Sequence, residues 1–484
     1  MGNGLASRAA SGVRSTATST LLNALLVFGQ TAVVAHYLAP ADFGIMSMAT
    51  VVIGFAQLFT DFGVSGAIIH RRDPTKEELS TLYWLSMLFG ISIFLLVELC
   101  TPLLVQLFRE PALTGPLRLI GLVFLISPFG QQHQVLLQKA LRFRALSICI
   151  SAGYIANAIV AIWLAILGFG VYGLVVGQLV NAVVRAVMLM GAQWGHWKPM
   201  WHFDVKSVSG YLSFGLYQTG DRAANFFNVY LAHALIGSLL GARVLGYYTL
   251  AFELAYKPLD VITPIISRVA FPIFAIARDD RSRVRRGYMR ILRVLSAVNM
   301  PLSLGLAVAA PVAVNVLYGE QWSAAVPLAQ VLAIVALLRS SGTPVGSLLL
   351  GFGRADLGFY WSATKMLLQL PGIYVGIRFG GAFGAALAFL LLQIVFSIVA
   401  YAFLIRRLLG PCGREYILSF IPSLVVAFGV AGLVYVTALL GADLSPISLL
   451  VAEMGVGLVA YVGLQFAFNR PLISDSLRLL RDGR

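Results

Sequence analysis

The sequence has few charged residues. They make up 11% of its 484 positions, compared with about 25% in an ordinary soluble domain. Hydrophobic residues make up 59% of the chain. This shortage of charge argues against an ordinary soluble domain and indicates a protein that lies in a membrane.

The sequence is also poor in residues that build disulfide, metal or nucleotide sites. Its three cysteines are scattered at Cys100, Cys149 and Cys412, and their spacing fits neither a disulfide framework nor a zinc site. No P-loop motif occurs, so ATP hydrolysis by that route is excluded. We therefore predict no catalytic residue, no metal site and no organic cofactor.

Two short patterns imitate known sites. Residues 168–173 spell G-x-G-x-x-G, but a dinucleotide site needs a strand before this motif, and here it joins two apolar runs. We predict a tight turn between helices, with Gly173 and Gly177 allowing close packing. Asp279 and Asp280 resemble an acidic metal pair, but they lie in a short basic loop, and we predict a solvated turn there.

Long apolar runs fill the rest of the chain. Each is about 20 residues long or longer, enough to cross a hydrocarbon core of about 30 Å as a helix. Strands of a membrane barrel would instead alternate in hydrophobicity over short segments. We predict an all-α polytopic membrane protein with about fourteen spans, at 16–38, 43–68, 81–107, 115–138, 145–168, 171–193, 208–236, 243–270, 291–317, 324–352, 356–378, 382–405, 415–440 and 446–468.

The basic residues, 35 against 20 acidic ones, are unevenly distributed. If the N-terminus is cytoplasmic, most of them fall on the cytoplasmic side, among them Arg185, Lys198 and Lys206 and the eight arginines between 268 and 293. This asymmetry follows the positive-inside rule and predicts that both termini are cytoplasmic. Contact with anionic lipid headgroups explains the remaining charge, so we predict no nucleic-acid partner.

The sequence contains weak internal similarity. Short motifs recur in the same order in the two halves: LAPADFGIMSMA (38–49) with LGARVLGYYTLA (240–251), LRFRA (141–145) with GFGRA (351–355), and GFGVYGLV (168–175) with FGGAFGAA (379–386). They predict two six-helix halves. Because six crossings return the chain to the side on which it started, both halves enter the membrane from the same side and are parallel repeats. Such repeats commonly hold the substrate path between them.

The repeats divide the chain into predicted parts. The N-terminal half covers 1–193, and a cytoplasmic linker follows at 194–207. The C-terminal half covers 208–408. Helices 13 and 14 and a cytoplasmic tail make up 409–484.

The seventh span carries polar residues where a bilayer would disfavour them. Gln218, Arg222, Asn225 and Asn228 follow spacings of one helical face, with Asp221 at its edge. Charged residues inside a membrane usually face a water-filled cavity and mark a substrate or ion pathway. We predict that this face binds substrate.

Later spans add further charges. Glu253, Lys257 and Asp260 share one face of the eighth span, while Arg339 and Lys365 lie in the tenth and eleventh. The basic residues suit an anionic ligand, and arginine suits phosphate. A purely structural role as buried ion pairs, for example Glu253 with Lys257, is the alternative.

The residues 36–73 resemble the first hairpin of Wzx-type polysaccharide exporters. The shared features are Leu38-x-Pro40-x-x-Phe43-Gly44, then Phe62-Gly63 and Ile68-Ile69 before a basic turn. QKALRFRA (138–145) and the fourteen-helix layout extend the resemblance over nearly the whole chain. These exporters belong to the multidrug/oligosaccharidyl-lipid/polysaccharide (MOP) superfamily, and the chain most resembles its exopolysaccharide and colanic-acid-like subgroup.

The resemblance implies a MATE-like fold and a flippase in the bacterial inner membrane. Its substrate would be an undecaprenyl-diphosphate-linked oligosaccharide, moved by alternating access for exopolysaccharide, capsule or O-antigen synthesis. Polymerase and chain-length proteins of the pathway would be its partners. The superfamily uses basic residues in helices 1, 7 and 8. Arg222 and Lys257 match helices 7 and 8, whereas the first span here has no Arg or Lys and offers only Asn23, Gln30 and His36.

Two other functions stay open at this stage. A MATE-like drug antiporter would couple transport to H⁺ or Na⁺ through a carboxylate, and Asp61, Asp221, Glu253 and Asp260 are the candidates for such coupling. A membrane glycan polymerase or ligase would need a long outside loop for its catalytic site. The outside loops here are short, as in LYGEQWSAAV (317–326), and we predict a transporter and not an enzyme.

Overall fold

The structure is a computed structural model that describes residues 2–60, 68, 74–195, 197–204, 208–276 and 280–469. The secondary structure of these residues is helical throughout, joined by short turns. The α-helices are α1 (Gly2–Ala35), α2 (Pro40–Thr60), α3 (Lys76–Phe108), α4 (Thr114–Gly121), α5 (Val123–Lys139), α6 (Phe143–Ile166), α7 (Val171–Ala192), α8 (Ser209–Leu240), α9 (Ala242–Ile276), α10 (Arg281–Tyr318), α11 (Val326–Gly351), α12 (Ala355–Val399), α13 (Arg406–Leu409), α14 (Gly413–Leu418), α15 (Ile421–Leu440) and α16 (Pro446–Phe468).

Twelve helical segments among the described residues are long and apolar enough to cross a membrane. One of them, Asp356–Leu409, has 54 residues and loses helical geometry at Gly380 and Gly381, so it supplies two crossings. The 35-residue α9 adds another helix of sufficient length. The predicted all-α class is confirmed, and the predicted number of fourteen spans is approximate.

Apolar side chains cover the outer faces of these helices. Leu99 is 79% exposed, Leu440 82% and Val459 73%. In water such surfaces would drive aggregation, whereas in a bilayer they contact lipid. The backbone hydrogen bonds are satisfied inside each helix, which is the condition for crossing hydrocarbon.

The chain divides into two compact units, Met1–Gly246 and Tyr247–Arg484. In the first unit α6 packs against α7 and α1, α5 packs against α3 and α7, and α8 packs against α2. In the second unit α10 is central and contacts α11, α15 and α16. The division predicted from the repeats, with its boundary in the 194–207 linker, stays a prediction.

The repeat is visible in the backbone of two hairpin turns. Gly170 precedes α7 with φ 53° and ψ −135°, and Gly381 interrupts α12 with φ 57° and ψ −140°. A side chain strongly disfavours this conformation, so both turns need glycine. The motif at 168–173 is thus a tight helical turn, as predicted, and Gly173 and Gly177 contact α6 closely.

A second glycine pair lies inside the first unit. A methyl group at Gly44 would overlap the carbonyl oxygen of Ala242, and one at Gly246 would overlap the carbonyl oxygen of Pro40. The first turns of α2 and α9 therefore cross in backbone contact, each glycine facing the first residue of the other helix. These four residues occupy matching positions in the motifs 38–49 and 240–251.

Residues 197–204 bind to the start of α3. The Trp84 indole N–H donates to the Met200 carbonyl at 2.8 Å. The N–H of Met200 donates to Ser80 Oγ at 3.1 Å, and that of Asp204 donates to Thr81 Oγ1 at 3.2 Å. This part of the predicted linker is therefore fixed to the first unit.

The structure describes one residue of the acidic pair in the basic loop, Asp280, and this residue has a structural role. Asp280 is the N-cap of α10, where its carboxylate accepts from the Arg283 N–H at 3.0 Å. The Ser282 hydroxyl and then the Arg283 N–H lower the pKa of Asp280 by hydrogen bonding. Asp279 lies outside the described residues.

Candidate functional site

Several of the predicted site residues cannot be placed in a site. Asp61 lies outside the described residues, and so do the side chains of Gln218, Asp221, Arg222 and Asp260. The helices α8 and α9 that carry the last four are present as predicted. The roles of these residues stay predictions.

The described side chains of α8 differ in their exposure. Asn228 is 5% exposed, whereas Asn225 is exposed. Phe226 and Phe227 contact Phe55 of α2, with ring centroids 6.3 and 5.2 Å apart. The predicted polar face is therefore open at Asn225 and packed inside the first unit at Asn228.

The described polar residues of α9 differ in burial. Glu253 is exposed and Lys257 is half-buried. Between them, Tyr256 is 3% exposed and stacks on Phe252 with ring centroids 4.1 Å apart. The aromatic face of α9 thus packs inward in the second unit, and Lys257 follows directly after it.

Arg339 and Lys365 come together in the second unit. The Arg339 guanidinium carbon lies 5.5 Å from the Tyr256 ring centroid, and Lys365 Nζ lies 5.8 Å from the Trp361 ring centroid. Both are cation–π distances. Lys365 is largely buried, and the charge of Arg339 adds to the cost of its positive charge there. We call Arg339 and Lys365 the cationic pair.

The cationic pair can bind an anion. Two like charges held together inside a membrane-spanning unit are unfavourable until a negative group lies between or beside them. Gln369, one turn after Lys365, is 3% exposed, and its Oε1 has no hydrogen-bond partner among the described residues. The prediction that Arg339 and Lys365 bind substrate is chemically reasonable, and it stays a prediction.

A polar cavity lies in the first unit, where no site was predicted. Its volume is about 620 Å³, within the usual range for small-ligand sites. We call it the amide cavity, because seven of its lining residues carry amides: Gln57, Gln131, Gln134, Gln138, Asn157, Gln178 and Asn181. Tyr154, Ser127 and Thr60 add hydroxyl groups.

Arg185 is the one charged residue among the described residues that line the amide cavity. Its Nη2 donates to Gln134 Oε1. Asn157 Nδ2 donates to Gln30 Oε1 at 3.1 Å. Thr60 and Asn157 are buried, and one oxygen of each has no hydrogen-bond partner among the described residues.

The sequence predictions placed Arg185 in the sixth span, 171–193, and counted it among the charges on the cytoplasmic side, but they did not include it in a site. It lies inside α7, two turns before that helix ends at Ala192. The sequence contained a pattern that could have predicted this site. Polar residues on α5 and on α7 are spaced three and then four apart: Gln131, Gln134 and Gln138 on α5, and Gln178, Asn181 and Arg185 on α7. That spacing places each set on one helical face.

Glu453 on α16 is a buried charged residue that was not predicted from the sequence. It is 2% exposed, and neither carboxylate oxygen has a hydrogen-bond partner among the described residues. It is the only charged residue between Pro446 and Phe468, a signal that the sequence did offer. A buried carboxyl group in a membrane helix is a candidate for ion coupling.

No set of three metal-ligating side chains that could hold an ion occurs in the described part of the chain. The polar groups are instead amides, hydroxyls and cations. These groups suit hydrogen bonding to an organic ligand and attraction of an anion.

Apolar helices with polar and cationic sites inside them define a polytopic membrane protein of the transporter type. The chain belongs to the family of polysaccharide biosynthesis proteins, which matches residues 33–327. The resemblance found in residues 36–73 is thereby confirmed.

Curated relatives extend the similarity beyond that region. The chain is 34% identical over 425 residues to the lipopolysaccharide biosynthesis protein WzxC of Escherichia coli (strain K12), covering 86% of each chain. It is 32% identical over 433 residues to the teichuronic acid biosynthesis protein TuaB of Bacillus subtilis (strain 168), covering 87% of this chain and 88% of the relative.

Solved structures share the fold. The lipid II flippase MurJ in an inward closed conformation matches with a TM-score of 0.78 at 13% identity, over 95% of this chain and 99% of that one. An inward-facing multidrug resistance MATE family transporter of the MOP superfamily matches with a TM-score of 0.63 at 16% identity, over 81% and 98%. The predicted MOP/MATE-like fold is confirmed.

Proposed function

We propose that the protein is a flippase for a lipid-linked oligosaccharide. It moves the glycan from the cytoplasmic to the periplasmic leaflet of a bacterial inner membrane, with both termini in the cytoplasm. The observation that carries this proposal is the cationic pair, held inside the membrane-spanning part of a chain that belongs to the polysaccharide biosynthesis family.

The chemistry of such a substrate explains the need for a protein. A diphosphate and several sugars cannot cross hydrocarbon unaided, because each charged or polar group would lose its hydration. The polyprenyl tail can stay in lipid. The cationic pair offers the diphosphate of an undecaprenyl-linked glycan a compensating charge, and arginine can bind phosphate in a bidentate manner.

Alternating access coupled to H⁺ or Na⁺ completes the proposal. Asp61, Asp221, Glu253 and Asp260 are the carriers suggested by the sequence, and the buried Glu453 joins them. The product would pass to polymerase and chain-length proteins of the same pathway. Capsule, exopolysaccharide and O-antigen are its possible destinations.

A drug antiporter is the second candidate, because the MATE transporters share the fold. The cationic pair favours the flippase, since it attracts an anionic headgroup and would repel a cationic drug. Uptake of a cationic dye by liposomes that contain the protein, without any movement of glycolipid, would support the antiporter instead.

The proposal is tested in liposomes that contain the purified chain and a fluorescent undecaprenyl-diphosphate oligosaccharide. A membrane-impermeant reagent that modifies the glycan measures how fast the protected inner pool becomes accessible. We expect the wild type to expose this pool faster than protein-free liposomes under a proton or sodium gradient. Equal rates would refute the flippase.

A matched pair of variants makes the assay specific. Arg339→Gln with Lys365→Gln removes the cationic pair, whereas Arg118→Gln removes an exposed cation that pairs with Glu98 at 3.4 Å. We expect the first variant to lose movement and the second to keep it.

A further inference from the structure

The amide cavity is unlike an ordinary helix interface. Its opposing walls on α5 and α7 each present a row of side chains spaced three and then four residues apart. The hydrogen bond from Arg185 to Gln134 connects these two rows. Lining a cavity inside a membrane-spanning unit with so many amides is costly unless water or a ligand satisfies them.

The lining of the amide cavity matches the chemistry of sugars. Each amide offers two donors and an acceptor with two lone pairs, and a hydroxyl group of a sugar both donates and accepts. Thr60 and Asn157 hold buried oxygens without a hydrogen-bond partner among the described residues, so they can accept from a bound hydroxyl.

The charge of the amide cavity points to an anionic group on that ligand. No carboxylate occurs among its described lining residues, so Arg185 has no counter-ion there. The guanidinium is held by a neutral amide and keeps donors available for a ligand. One arginine balances the single charge of a carboxylate, whereas a diphosphate carries more charge than one arginine neutralises.

We propose that the amide cavity binds the glycan of the substrate, and that Arg185 binds a carboxylate carried by one of its sugars. This inference rests on the proposed flippase function and assigns the sugar-binding part of the substrate to the first unit. The ligand class is an acidic oligosaccharide, recognised through hydroxyl groups by the glutamines and through its carboxylate by Arg185.

Equilibrium binding to the full-length chain in lipid nanodiscs tests this assignment with three soluble probes. Tri-galacturonate carries carboxylates and hydroxyls, maltotriose carries hydroxyls alone, and inorganic diphosphate carries charge alone. The variants are Arg185→Gln, which keeps a polar side chain at that position, Gln178→Leu on the same wall, and the exposed Arg118→Gln as control. Thermal unfolding of each variant shows whether it is folded.

We expect Arg185→Gln to weaken tri-galacturonate binding about tenfold to a hundredfold, the effect of losing one charge-assisted hydrogen bond, and to leave maltotriose binding unchanged. Gln178→Leu should weaken both sugars, and Arg118→Gln neither. The inference is overturned if folded Arg185→Gln binds tri-galacturonate like the wild type, or if its defect is confined to diphosphate.

A failure of this inference can be distinguished from a failure of the proposed flippase function. If the wild type moves lipid-linked glycan in liposomes while Arg185→Gln binds every probe normally, the flippase stands and the amide cavity is not its sugar site. If the wild type moves no glycolipid, the function itself fails, whatever the probes show.

Discussion

The amide cavity of the first unit and the cationic pair of the second differ in the chemical groups that they can bind. In the first unit a single arginine lies among amides and donates to one of them. In the second unit, Arg339 and Lys365 each lie at cation–π distance from an aromatic ring, and Lys365 is largely buried. The first arrangement is complementary to many hydroxyls and one charge, and the second is complementary to a compact, highly charged group.

The two regions should also differ in how much a substitution affects folding and how much it affects transport. Arg185 has a polar partner, so removing either member of that contact leaves a polar group unsatisfied. The cations of the second unit have aromatic neighbours, so removing one loses a cation–π contact but also removes the cost of a charge in a buried position. Variants in the two units should therefore differ in the balance between lost folding and lost transport.

The largest effect should come from removing the cationic pair. In the double variant Arg339→Gln/Lys365→Gln we expect glycolipid movement to fall at least about a hundredfold, because two charge-assisted hydrogen bonds, each worth about 1.5–3 kcal/mol, are lost. Abundance in the membrane should stay normal, since glutamine keeps a polar side chain at both positions. Normal movement in the liposome assay would contradict an anion-binding role.

A smaller effect should come from the hairpin glycines, which the repeat places in equivalent positions. At Gly384 a methyl group would overlap the carbonyl oxygen of Gly376, whereas at Gly173 the nearest atom would be 3.2 Å away, on the Leu164 side chain. We expect Gly384→Ala to destabilise the protein by about 1–3 kcal/mol and Gly173→Ala by less. Thermal unfolding of the two variants in the same detergent measures the difference, and the reverse order would be inconsistent with these hairpins.

Gln134→Leu should have a milder effect, limited to the first unit. It removes the acceptor of Arg185, which should cost about 1 kcal/mol. Lys365→Gln should cost less, because it loses the cation–π contact with Trp361 but also removes the cost of holding an ammonium group in a buried position near Arg339. If Lys365→Gln lowered the unfolding temperature more than Gln134→Leu does, the two regions would not be built as described.

The smallest effect should come from an exposed ion pair. Arg285 Nε donates to a Glu415 carboxylate oxygen at 2.7 Å, but the two side chains are 29% and 54% exposed. Glu415→Gln should therefore cost only about 0.2–1 kcal/mol, and less at high salt. A larger loss, or one that salt does not reduce, would mean that α14 contributes more to the second unit than this pair suggests.

The sequence predicted those features that depend on local chemistry. The apolar runs predicted the helices because hydrocarbon tolerates only internally bonded backbone. The repeated glycines predicted equivalent turns, since the conformation of Gly170 and Gly381 admits little else. The hairpin motif around Pro40 and Gly44 identified the family, which the match to residues 33–327 confirms.

The sites were harder to predict, because they depend on which helices pack together. Arg339 and Lys365 were recognised as charges inside a membrane, but their proximity comes from the packing of α11 on α12. The amide cavity was missed because glutamine is neutral, and because Arg185 was counted only among the basic residues on the cytoplasmic side. The roles of Arg222 and Lys257 stay predictions.

The most direct test compares how the two regions select substrates in the liposome assay. Two undecaprenyl-diphosphate glycans are needed, one with a uronic acid and one with the matching neutral sugar. We expect Arg339→Gln/Lys365→Gln to slow both, because both carry the diphosphate, and Arg185→Gln to slow only the acidic glycan. Equal slowing of both glycans by Arg185→Gln, or no slowing of either by the double variant, would contradict the division of substrate recognition between the two units.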